Sequence, residues 1–411
     1  MRAAAAFLMI AASLAGCGRV EGVMAPVALE APPGASRVDM IVATTRSETD
    51  VPPSEMFSGE RGGALAFADI GVSIPPDANR QIGDVQWPQS LPPDPAREFA
   101  TLRAERLDRS SAMARLDARA KRVKSREVLV FVHGYNTRFA DAVYRFAQII
   151  HDSGTDAIPV LFTWPSRGRT LAYGYDHESA SFSRDALERL LADIVADPSV
   201  GELSILAHSM GNWVTLEALR QMAIRNHGLP AKIADVMLAA PDVDFDVFQT
   251  QLREIGPAAS RFVVFVSRND QALAASRRVW GDKPRLGGVD PADPVYAQDF
   301  ARDRIVVVDL SNVSSDDPLG HSTFAAAPAV VRAIGSRLSG GQTLSEGAGV
   351  GERLGAVTAG AIGVVGSAAG AAVQAPFAPF DSHARDHFGD DLDAIGDSLS
   401  YGARAGASLA R

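Results

Sequence analysis

The run Leu203-Ser204-Ile205-Leu206-Ala207-His208-Ser209-Met210-Gly211 carries the first sign of chemistry. An apolar strand pattern stops at Ser209, and a helical pattern starts just beyond it. A serine on so sharp a turn lifts its hydroxyl above the carboxyl edge of a sheet, where it can attack a carbonyl carbon. Such a turn needs small residues two before and two after, because strand and helix backbones nearly touch. Gly211 meets that need; Ala207 stands where glycine is commoner, a mild departure. The plainer reading of Ser209 is a helix N-cap. A hydroxyl is a weak nucleophile and needs a base within hydrogen-bond reach. His321, in Asp317-Pro318-Leu319-Gly320-His321-Ser322, is the only histidine between His227 and His383 and is assigned as general base, then general acid. Carboxylates able to orient it follow two earlier apolar runs: Asp270 after Phe262 to Val266, and Asp242 and Asp244 after Val236 to Pro241. Asp309 ends the run nearest the histidine and is the weaker choice. Negative charge on the attacked oxygen needs backbone donors. Met210 N–H at the helix start is one; Tyr135 N–H, in His133-Gly134-Tyr135-Asn136, is the other. His133 reads as a brace for that loop, and His208 as a packing residue.

These residues need a rigid frame. Apolar runs at 38–44, 65–74, 128–132, 158–163, 203–207, 233–239, 262–266 and 305–308 read as strands. Helical patterns cover 139–151, 179–196, 210–224 and 325–338, and 96–124 reads as a charged cover helix. Strands without polar alternation, separated by helices, imply a parallel sheet covered on both faces. Their count and order suit an α/β-hydrolase fold, a mostly parallel eight-stranded sheet with helices on both faces. That fold runs nucleophile, acid, histidine along the chain. Its usual placement favours Asp270 as the acid; a placement one strand earlier favours Asp242 or Asp244.

Five ordered motifs then carry a resemblance. They are Val130-Phe131-Val132-His133-Gly134-Tyr135-Asn136; Thr163-Trp164-Pro165-Ser166 with Gly168 and Tyr175-Asp176; Ala207-His208-Ser209-Met210-Gly211-Asn212; Ala239-Ala240-Pro241-Asp242-Val243-Asp244; and Gly320-His321-Ser322. Over residues 36 to 338 the chain resembles a bacterial α/β-hydrolase family of predicted esterases, long described as a domain of unknown function. The resemblance implies a Ser-Asp-His hydrolase and says little of substrate. Trp164-Pro165 and the segment to Asp176 follow a strand end and are expected to wall the substrate cleft, where Trp164, Tyr173 and Tyr175 suit an acyl or aryl group.

Ahead of the body, Arg2 precedes the apolar stretch Ala3 to Leu14, which is too short to span a bilayer. Leu14-Ala15-Gly16-Cys17 looks like a bacterial lipobox and holds the chain's single cysteine. It implies a signal peptide over 1–16 and a lipid on the Cys17 sulfur, holding the protein at a membrane. Gly18 rather than Asp after the cysteine favours the outer membrane of the cell envelope, where the host has one. Residues 17–36, rich in Gly, Ala and Pro, read as lipidated cysteine and tether, and 37–338 as the hydrolase domain. Residues 339–411 form a Gly/Ala-rich tail, read as disordered or membrane-associated.

A net charge of −9 and the lack of a basic run argue against nucleic-acid binding. One cysteine excludes an internal disulfide and a thiolate zinc site. No metal and no organic cofactor is expected. The reading is a serine-dependent carboxylesterase with a small ester or acyl substrate; thioesters and amides yield to the same apparatus. The competing reading is a non-catalytic envelope lipoprotein that uses the hydrolase fold for binding or scaffolding.

Overall fold

Strand β4 (Glu127–Val132) is buried at every position, and its side chains divide between two cores. Val128, Val130 and Val132 join one apolar cluster, and Leu129 and Phe131 the other. Period-two side-chain geometry makes a continuous apolar run the signature of a strand covered on both faces. The computed structural model describes residues 20–28, 32–50, 55–315 and 317–340.

The strands are β1 (Ser36–Glu48), β2 (Phe57–Ile74), β3 (Ala100–Leu107), β4, β5 (Ile158–Thr163), β6 (Glu202–His208), β7 (Ile233–Ala239), β8 (Phe262–Val266) and β9 (Val306–Asp309). They form one nine-stranded sheet in the order β3-β2-β1-β5-β4-β6-β7-β8-β9. From β1 to β9 neighbours are parallel, and β2 is antiparallel to both β1 and β3. The helices are α1 (Arg109–Ala120), α2 (Phe139–Ser153), α3 (Tyr173–Ala196), α4 (Gly211–Asn226), α5 (Phe245–Ile255), α6 (Gln271–Val279), α7 (Pro294–Asp303), α8 (Thr323–Ala326) and α9 (Pro328–Gly340). Residues of α1, α3, α4, α5 and α7 fill one core, and those of α2, α8 and α9 fill the other. This is an α/β-hydrolase fold, with β6 near the middle of the sheet.

The ninth strand is β3, in the segment read as a cover helix. Residues 100–107 instead pair with β2, from Ser73 opposite Ala100 to Phe67 opposite Leu107. Their charged side chains find partners there: Arg103 donates to Asp39 at 2.7 Å and to Asp69 at 2.8 Å. Only the second part of the segment is helical, as α1. The last helix is divided at Ala327, whose φ/ψ of −86°/115° is the extended geometry that a following proline favours.

Residues 20–28, read as part of a tether, are packed. Val23 and Met24 are buried, and Val23 O accepts hydrogen bonds from Thr101 Oγ1 (2.8 Å) and Tyr144 OH (3.0 Å). The signal segment, Cys17 and the tail beyond 340 lie outside the described residues. Among the described residues no helix is long and apolar enough to cross a membrane.

Candidate active site

β6 ends at His208 and α4 begins at Gly211, so Ser209 turns the chain through a left-handed φ of 52°. Such a backbone costs about 1–3 kcal/mol and persists only where its surroundings hold it. Here the Ser209 N–H donates to Ala239 O at 3.0 Å. The Ser209 carbonyl accepts from the Asn212 N–H (3.1 Å), Asn212 Nδ2 (2.9 Å) and the Asp242 N–H (3.3 Å). A Cβ on Gly211 would fall 2.7 Å from Val132 O, so helix and strand backbones do meet at this turn. A Cβ on Gly134 would fall 2.8 Å from the Ser209 Cβ and 3.0 Å from His208 Nδ1. The loop after β4 therefore lies directly on the serine turn. Tyr135 follows in that loop and Met210 heads α4, the two positions expected to supply amide donors. Ala207 is wholly buried in β6, and its methyl group fits there.

Asp270 is the N-cap of α6. Its Oδ1 accepts from the Leu273 N–H at 2.9 Å, and its Oδ2 accepts from His321 Nδ1–H at 2.7 Å. Burial alone would lower the His321 pKa, but Asp270, with Asp242 and Asp317 farther off, raises it above the ordinary value. The histidine loop is tied down by Asp317, which accepts from the Leu319 N–H (3.1 Å) and the Ser322 N–H (2.5 Å). Ser209, Tyr135 and His321 line one cleft of about 550 Å³ above the carboxyl edge of the sheet.

The other carboxylates are committed elsewhere. Asp242 also lines the cleft, but it accepts from Arg285 Nε (2.8 Å), Ser276 Oγ (2.6 Å) and Tyr173 OH (2.9 Å). Asp244 caps α5 through the Asp246 and Val247 N–H groups. Asp309 accepts from the Ser311 N–H and hydroxyl. Asp270 is the carboxylate bonded to His321.

Residues 108–337 match the family described as "Alpha/beta hydrolase of unknown function (DUF900)". The chain belongs to this family. A search of curated proteins finds no match. Among solved structures, the lipase-esterase related protein from Clostridium acetobutylicum ATCC 824 aligns with TM-score 0.27 and 11% identity, over 53% of this chain and 94% of that one.

In this α/β-hydrolase Tyr173 lines the cleft as expected, but Trp164 and Tyr175 are not lining residues. Trp164 is fully buried beneath the loop: its ring stacks on His133 at 4.9 Å, and its Nε1–H donates to His133 O at 2.8 Å. Tyr175 lies outside the cleft under the Arg167 guanidinium, 3.7 Å from its ring centroid, and donates to Gly59 O at 3.1 Å. The aromatic lining residues are Tyr135, Tyr173, Trp87 and Phe131.

Below the loop stand the residues that hold it. His133 donates through Nδ1–H to Gly134 O (2.8 Å), and its Nε2 accepts from the Trp164 N–H (3.2 Å). Burial, with Arg46 nearby, pushes its pKa down to about 3, so it braces the loop as a neutral ring. Buried Arg46 donates to Thr137 O (2.7 Å), Ser166 O (2.8 Å) and Thr163 Oγ1 (2.6 Å). Asp176, its pKa raised by burial, accepts from Ser166 Oγ (2.5 Å) and the Asn136 N–H (3.2 Å). Asp176 is a member of the quoted motifs, as is Asn212. Arg46 carried no signal beyond being a charge at the end of an apolar strand. Among the described residues no cluster of His, Cys, Asp or Glu suits a metal ion.

Proposed function

We propose that the protein is a serine hydrolase acting on carboxylic esters through an acyl-Ser209 intermediate. The observation that carries this reading is the Asp270–His321 bond of 2.7 Å, beside a serine held at φ 52° on the same cleft. With Asp270 on Nδ1, the His321 ring leaves Nε2 unprotonated and able to take the Ser209 proton. Ser209 Oγ then bonds to the ester carbon, and the Met210 and Tyr135 amides receive the negative oxygen. His321 returns the proton to the departing alcohol, and water repeats the cycle to release the acid.

The cleft suits substrates with apolar groups, since Val85, Trp87, Phe131, Tyr173 and Leu273 are among its lining residues. We place the enzyme at a membrane through a lipid on Cys17, facing small ester or acyl substrates there.

The test is a fluorophosphonate probe on the purified protein beside Ser209→Ala and His321→Ala. Labelling of the parent that is lost in both variants supports the reading. A folded parent that stays unlabelled overturns it in favour of a binding or scaffolding role.

A further inference from the structure

His208 lies one residue before Ser209 and faces the cleft. Its Nε2 lies 3.1 Å from the His321 carbonyl oxygen. A carbonyl only accepts, so Nε2 carries the proton and Nδ1 is the bare nitrogen. Its ring is enclosed by the rings of His321 (centroids 4.8 Å apart) and Phe324 (4.7 Å). Nδ1 abuts Gly134, where there is no room for a Cβ. One side chain on the nucleophile's own strand thus touches both loops that complete the site. Burial keeps the ring neutral, and the nearby His321, Arg145 and His133 act in the same direction against the bond to His321. The donor therefore does not switch over the range in which His321 titrates.

The need for such a tie is local. His321 follows Gly320, which has a φ of 67°. Asp270 holds Nδ1 of the ring and Asp317 holds the Leu319 and Ser322 N–H groups on either side, while the His321 carbonyl itself is held by His208. We propose that His208 is a positioning residue, whose Nε2–H holds the His321 carbonyl and so sets the general base at its working distance from Ser209. This rests on the serine-hydrolase reading above. A misplacement of about 1 Å can cost about 100-fold in rate.

The experiment compares the parent with His208→Phe, which keeps a ring but removes the donor, and His208→Gln, which restores an N–H. The readouts are kcat and KM on a p-nitrophenyl ester, the pH profile of kcat/KM, and thermal melting. Expected for His208→Phe is a kcat lower by about 10- to 100-fold with KM within about twofold. Its acid limb should move to lower pH as the Asp270–His321 contact loosens; Asp270, Asp242 and Asp317 are the charges that raise the His321 pKa. His208→Gln should recover kcat to within about threefold of the parent. Should His208→Phe not fold, His208→Met, equally without a donor, takes its place. A donorless variant with parental kcat and acid limb overturns the inference, as does a His208→Gln that falls as far as His208→Phe. A parent that hydrolyses no ester and takes no fluorophosphonate overturns the catalytic reading and this inference together.

Discussion

Asp270 divides its oxygens between a helix and a histidine: Oδ1 caps α6 and Oδ2 accepts the hydrogen bond from His321 Nδ1–H. An asparagine there would keep a cap acceptor and lose the charge. Asp270→Asn should therefore fold, while kcat drops by about 10³- to 10⁴-fold, the scale seen when a triad acid loses its charge. The sign of the pH effect follows from the same contact. The working base is neutral His321, and Asp270 raises its pKa, so parental activity should begin to fall at a higher pH than an ordinary histidine would give. In Asp270→Asn the residual activity should persist to lower pH; an unmoved acid limb would remove Asp270 from its role. Ser209 and His321 could be picked out from spacing along the chain, whereas Asp270 was favoured over Asp242 and Asp244 only by the usual placement of the acid in this fold. All three follow strands, and the local sequence does not announce that Arg285 comes back to occupy Asp242. Trp164 misled for a related reason. An aromatic residue at a strand end can turn to the cleft or beneath the loop, and the His133 ring that stacks on it is distant in sequence.

At the scale of elements, the β6–α4 turn works because two backbones meet without a side chain between them. Gly211→Ala would press a methyl group against Val132 O, 2.7 Å away, and should cost about 1–3 kcal/mol with loss of fluorophosphonate labelling. Thermal melting and labelling measured together would expose the error if the variant behaved as the parent. The central strands were legible because β4, β6, β7 and β8 are apolar runs with no alternation. β3 was not, because Ala, Leu, Arg and Glu are good helix formers, and only pairing with β2 makes residues 100–107 a strand. The start of β4 carries a second consequence. Glu127 is buried with Ser204 Oγ donating to it at 2.6 Å. Burial lifts its pKa to about 7, Ser204 opposes the shift, and Glu202, Asp235 and Asp156 add to it. A folded pKa above the unfolded one means that its stabilising contribution is complete below about 4.5 and lost as pH rises through about 7. Glu127→Gln should be more stable than the parent by about 2 kcal/mol at pH 8 and little different at pH 4, in urea melts. Equal stability at both pH values would contradict the buried charge.

For the whole molecule, were Cys17 to carry the proposed lipid, the segment just after it would set how the body meets a membrane. From Cys17 to Val20 there are three steps of chain, about 11 Å at full extension. Residues 17–36 read as a tether because Gly, Ala and Pro make up half of them, and the three buried residues 22–24 are too few to show a period. Yet Val23 and Met24 are buried against β3 and α2, and the Gly22 N–H donates to Glu55 at 3.2 Å. With a lipid on Cys17, the hydrolase domain would stand against the bilayer and not swing beneath it. The same contacts reach the cleft: Tyr144 donates to Val23 O, its ring lies 5.1 Å from that of Trp87, and Trp87 lines the cleft. Two truncations separate packing from tethering. Removal of residues 1–18 should leave the melting temperature unchanged. Removal of 1–28 takes away two buried side chains worth about 1.5–3 kcal/mol each, and should lower it by several degrees. Trp87 would lose the support behind Tyr144, so KM for bulky esters should rise while the fluorophosphonate still reaches Ser209. If the two truncations melt together and share one KM, the segment is a tether after all, and a lipid on Cys17 would leave the domain free to turn away from a membrane.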